Sequence, residues 1–122
     1  VSVGELLDKI SILEIKKEKI KDSEKLKFIN DEYEVLKDQL DKNVKSNEKI
    51  DKLFQTLKEI NSKLWVIEDD KRLCEKNSDF SEKFIKLSRD IHFLNDDRSK
   101  IKLEINHHTG SKIKEIKEYT SY

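Results

Sequence analysis

Two acidic runs, Glu68-Asp69-Asp70 and Asp96-Asp97, are the first candidates for chemistry in this chain. Clustered carboxylates can hold a metal or share acid–base work, but only if they converge on one point. Three consecutive acids on a helix face three directions, and no His-Glu-x-x-His zinc pattern occurs. His92 and Asp96 stand four residues apart, the spacing of a surface hydrogen bond on a helix. His107-His108 precede Gly110, where a helix C-terminus favours positive charge, so capping is expected of them before ligation. Cys74 has no neighbouring His to make a thiolate, and as the single cysteine it fits a reducing compartment and a place in an apolar seam. Gly110-Ser111-Lys112 alone is too little for a phosphate loop. The residues therefore suggest no catalytic group and no metal or other cofactor, and a non-enzyme is the expected reading.

More telling are polar residues at positions where apolar ones are expected. Ile50, Leu53, Leu57, Ile60, Leu64, Ile67, Lys71 and Cys74 follow at steps of three and four, as do Phe80, Phe84, Leu87, Ile91, Leu94, Arg98, Ile101 and Ile105. Such alternation marks a helix face packed along another helix at a shallow angle. Arg98 and Lys71 interrupt these seams, and Glu14 falls between Leu7 and Ile10 on the wheel of the first helix. A second stripe accompanies each seam: Phe54, Lys58, Asn61, Trp65, Glu68, Arg72 on one, and Ser88, His92, Asn95, Ser99, Lys102, Asn106 on the other. With a turn near Asn77-Ser78, Asn61 comes level with Asn95, and Glu68 with Ser88 and Arg89. The pattern predicts a polar strip walled by Trp65. Either Arg98, Glu14 and Glu68 pair inside a bundle and fix its register, or they line a groove for a ligand or partner. Trp65 fits a core or interface anchor first and a stacking platform second.

The elements that must position these residues follow from composition and punctuation. Of 122 residues, 34% are apolar and 43% charged, with no Pro and 2 Gly, which suits long helices with narrow seams rather than a thick core. Ser2-x-x-Glu5 has the form of a capping box, and a helix is expected over about 3–21, apolar on two sides and so sandwiched. Asp22 or Ser23 should cap a second helix over 24–43, carrying Leu26, Ile29, Tyr33, Leu36 and Leu40. Ser46 or Asn47 should cap a third over 47–76, and Asp79-x-x-Glu82 a fourth over 80–107, ended by Gly110. The expected fold is all-α: an antiparallel helical hairpin with coiled-coil-like heptad seams and a shorter helical pair packed on it, one domain over 1–109. The tail over 110–122, with Ile113, Ile116 and Tyr119 at steps of three, is expected to dock.

Lys and Arg number 26, and Asp and Glu also 26. A nucleic-acid binder usually carries a net basic field, so this balance argues against one, although Lys100, Lys102, Lys112, Lys114 and Lys117 make the end of the chain mildly basic. No run approaches the roughly 20 apolar residues of a membrane span and no signal-peptide pattern opens the chain. No membrane association and a cytoplasmic location are the expectations.

Several strings in order resemble one family. They run Gly4-Glu5-Leu6-Leu7-Asp8-Lys9-Ile10-Ser11-Ile12-Leu13-Glu14-Ile15-Lys16, Asn61-x-x-Leu64-Trp65-x-Ile67-Glu68-Asp69-Asp70-x-Arg72, Asp79-Phe80, and Phe84-Ile85-x-Leu87-x-Arg89. Asn95-Asp96-x-Arg98, Lys102-x-x-Ile105-Asn106 and Gly110-Ser111-x-Ile113-x-Glu115-x-Lys117-x-Tyr119 complete them. The whole chain thereby resembles DUF6165, a family of short bacterial proteins, and the resemblance brings no activity. It does imply weight for Glu14, Lys16, Asn61, Glu68, Asp69, Arg72, Arg89, Asn95, Asp96 and Arg98. All of these but Lys16, with Trp65 and Lys102 from the strip, are the candidate ligand or partner residues. The expected function is a protein-interaction or scaffolding module with a protein partner or a second copy. The alternatives are a nucleic-acid-binding hairpin and a small-molecule binder or enzyme using the strip between the third and fourth helices.

Overall fold

In this computed structural model, which describes residues 2–110, four helices follow one another and no strand occurs among those residues. They are α1 (Val3–Lys19), α2 (Ser23–Asn43), α3 (Glu48–Lys76) and α4 (Glu82–Thr109). The fold is all-α, as the spacing predicts. The tail from Ser111 onward, expected to dock, lies outside the described residues.

Side-chain caps set three of the four helix starts. Ser2 Oγ accepts the Glu5 N–H at 3.1 Å, the Asp22 carboxylate those of Glu24 and Lys25 at 3.0 and 3.1 Å, and Asn47 Oδ1 that of Ile50 at 2.9 Å. The fourth start departs from expectation. The sequence places it at Phe80 under an Asp79 cap, whereas α4 begins at Glu82 behind Ser81, which makes no side-chain cap bond. The cause is the way α3 ends. Ser78 takes a left-handed φ of 54°, its N–H returns to the Glu75 carbonyl, and the Asp79 N–H returns to that of Cys74 at 2.8 Å. Asp79 is thereby committed to the end of α3. Its carboxylate accepts the Ser81 N–H at 3.1 Å, and helical geometry resumes only afterwards. At the other end of α4, Gly110 adopts the left-handed conformation expected of it, with φ 65°.

α3 and α4 pack along each other as the hairpin, and α1 packs against all three other helices. α2 packs on α1, with Leu40 reaching the core formed by Leu7, Ile50, Leu53, Leu57 and Ile105. This central position is what the second apolar side of α1 serves: Ile15 is buried and Ile12 half-buried. Buried apolar surface contributes about 25 cal/mol per Å², so α1 holds the bundle together. It holds only one end, however. Among the described residues, the hydrogen bonds and ion pairs from α1 to the hairpin fall on Lys58, Asn61, Arg98, Lys102 and Asn106. Beyond Asn61 and Arg98 the hairpin continues, among the described residues, as a two-helix arm, about 22 Å long on the α3 side at 1.5 Å per residue.

Candidate functional site

α1 carries Gly4, Asp8 and Ser11 at steps of four and three, which puts small and polar groups on one face. α4 presents Asn106, Lys102 and Arg98 at steps of four. The two stripes meet antiparallel, Gly4 against Asn106, Glu5 against Lys102 and Asp8 against Arg98. The closeness of this approach explains Gly4. A Cβ there would collide with the Lys102 carbonyl oxygen and come within 2.9 Å of Asn106 Oδ1.

Asp8 is the centre of the contact and is 1% exposed. Its Oδ1 accepts from Arg98 Nε and from Asn61 Nδ2, each at 2.9 Å, and its Oδ2 accepts from Arg98 Nη2. Asn61 Nδ2 also reaches Ser11 Oγ at 2.8 Å, and that hydroxyl donates to the Asp8 carbonyl at 2.7 Å. A buried carboxylate survives only with such partners, and the two-pronged guanidinium fixes both distance and rotation between α1 and α4. Lys102, with only 7% of its side chain exposed, sits 2.7 Å from the Glu5 carboxylate. Next to it, Asn106 Oδ1 accepts the Gly4 N–H at 2.7 Å, while its buried Nδ2 meets no acceptor among the described residues.

A second cluster ties α1 to α3. Lys58 Nζ lies 3.0 Å from Glu14 and 3.0 Å from Glu18, and the Tyr33 hydroxyl of α2 reaches Glu14 at 3.5 Å. The Glu14 and Glu18 carboxylates hold the lysine's pKa above its ordinary 10.5. Burial first, and the Glu14 charge second, raise that of Tyr33 above 10.0.

The sequence-predicted residues are thus divided rather than gathered. Asn61, Arg98 and Lys102 belong to the α1 contact, and Glu14 to the Lys58 cluster. Trp65 and Asn95 are half-buried just beyond α1. Glu68 and Arg72 border an open groove with Lys71, Glu75, Phe84 and Ile91. Arg89 lies on a different surface of α4, over the Phe93 ring at 5.6 Å from its centre. Asp69 is exposed, and Asp96 stands 3.9 Å from His92. Glu68, one of the three charges expected to pair inside the bundle, is exposed and sits too far along the hairpin to meet Arg98. The turn puts it about ten residues, or about 15 Å, from the level of Arg98. Lys71, the other cation in a seam, stands over the Phe84 ring at 5.4 Å.

Asp8 is the residue that sequence reasoning missed. The signal was available in the Gly4–Asp8–Ser11 spacing, a narrow polar stripe on a helix otherwise apolar on two sides. A Glu-x-x-His spacing, expected to be absent, does occur at Glu104 and His107. Both are exposed, and no three His, Cys, Asp or Glu groups among the described residues are placed to hold a metal ion. Nor, among those residues, is any helix long and apolar enough to cross a membrane.

No curated protein and no solved structure matches this chain. A family model does, over residues 1–122, that of a family of unknown function. The chain belongs to this family, DUF6165.

Proposed function

We propose that this protein is a protein-interaction or scaffolding module in which the α1-covered end is a fixed base and the hairpin arm is the contacting element. The observation that carries this reading is the distribution of exposed apolar side chains. Of the eight large apolar side chains exposed among the described residues, five lie on the arm (Val66, Leu73, Phe80, Ile85 and Phe93, each about half exposed), while Phe28 and Val35 lie on α2 and Leu103 at the base. Single exposed apolar residues mean little, but a concentration on one projecting element marks an interaction surface. The polar groups most suited to a ligand site are already used within the base, which supports a structural role for Asp8, Asn61 and Arg98. A small-molecule site would need Arg89 and Arg98 together, and they serve different surfaces. The nucleic-acid reading is weakened as well, because Lys102 is buried against Glu5 rather than presented to solvent.

The test is site-specific photo-crosslinking in the native cells, with the reactive residue at Ile85 on the arm and, separately, at Lys52 on the base. A defined protein captured in stoichiometric yield from position 85 alone is the expected result. Capture only from position 52, or recovery of nucleic acid, would overturn the reading.

A further inference from the structure

The face of α3 that receives α1 does not stop where α1 stops. Lys58, which holds Glu14 and Glu18, is followed on the same helical stripe by Trp65, Asp69, Arg72 and Lys76, at steps that keep these residues within a narrow arc. Among the described residues, the hydrogen bonds and ion pairs from α1 to α3 end at Asn61, and α4 packs along the seam side, with Arg72 at the border of the groove between the two helices. Asp69, Arg72 and Lys76 are exposed and form no ion pair among the described residues. Val66 and Leu73, 50% and 52% exposed, border the same stripe.

This stripe is complementary to itself when reversed. Turned end for end about the midpoint of residues 70 and 71, Asp69 faces Arg72, Arg72 faces Asp69, and Trp65 faces Lys76 as a ring faces a cation. Each pairing then occurs twice, as a twofold axis requires. Acid lies towards the base and cation towards the tip, so the parallel arrangement would set like against like. We infer that the occupant of this face is the same face of a second copy, the two α3 helices packing antiparallel through their arms. The inference rests on the arm being the contacting element.

Sedimentation equilibrium on the full chain tests it through charge reversal, with far-UV circular dichroism confirming that each variant is folded. The wild-type chain is expected to dimerise. Asp69→Arg alone and Arg72→Asp alone should each weaken the dimer by about tenfold or more, since each sets like charges opposite one another twice. The double variant D69R/R72D exchanges the signs and should recover most of the lost affinity. A wild-type chain that stays monomeric at every concentration, or a dimer indifferent to the single reversals, would overturn the antiparallel pairing. In either case capture of a different protein from position 85 would leave the arm reading standing. A dimer joined through α1 and α2 would remove both.

Discussion

The base and the arm of the hairpin share one seam pattern and differ in almost everything that pattern is supposed to confer. At the base, Ile50, Leu53, Leu57, Ile60, Leu64 and Ile105 are buried. On the arm, Ile67, Phe84, Leu87, Ile91 and Leu94 occupy equivalent steps and are only half covered, with Cys74 near the tip the buried exception. Two helices alone cannot enclose a seam; a third must close it, and α1 is long enough to do so over only part of the length. Polar groups divide the same way. Those beneath α1 are matched to partners by distance and geometry, whereas Glu68, Asp69 and Arg72 on the arm face solvent. A wheel drawn from sequence assigns the same face to both sets and cannot tell a covered stretch from an open one.

The sharpest way to break this comparison is at Asp8. Arg98→Leu should cost about 3–5 kcal/mol in urea unfolding, because it leaves a buried carboxylate without its counter-charge. Adding Asp8→Leu should return much of that loss, a coupling read directly from the double-mutant cycle. Were Arg98→Leu neutral, the arginine would not be holding the base together. Next in size is Gly4→Ala, which forces α1 away from α4 and should cost about 1–3 kcal/mol, the usual range for an overpacked contact.

Helix caps extend the contrast at smaller scale. Asn47→Ala removes the cap bond of α3 at the base and should lower stability by about 1 kcal/mol. Ser81→Ala at the arm should register much less, since Ser81 makes no side-chain cap bond.

Alkaline titration isolates the Glu14 cluster. Raised folded-state values for Lys58 and Tyr33 mean that their contributions are complete below the ordinary values of 10.5 and 10.0 and decline as pH rises past them towards the folded-state values. Stability should therefore fall above pH 10, and a variant carrying Lys58→Met and Tyr33→Phe should lose that part of the decline. Smallest of all, Leu73→Ser on the arm should change unfolding free energy by less than about 0.5 kcal/mol, while removing an apolar contact from the proposed interface.

Much of the base was legible because local chemistry dictates it. Ser2, Asp22, Asn47 and Gly110 act within a turn of their own position, and the α3 seam depends on a three-four repeat that any helix partner would read. The start of α4 was misplaced because Asp79 has two local roles open to it, and the left-handed turn at Ser78 decides between them. Arg98 could be recognised as out of place but not assigned a partner, for Asp8 is 90 residues away. That pairing depends on which helix closes the seam. The arm's function was the least legible part, because an exposed stripe has its meaning in another molecule.

Hydrogen exchange on the dilute, monomeric protein tests the division most directly. Amides of Leu53–Leu64 and of α4 around Ile105 should exchange only through global unfolding, so that Arg98→Leu accelerates them by the full loss of stability. Those from Val66 to Phe93 should exchange faster, through local opening that Arg98→Leu leaves largely unchanged. Uniform protection along both helices, falling together in the variant, would contradict the division of the hairpin into a fixed base and a separately opening arm.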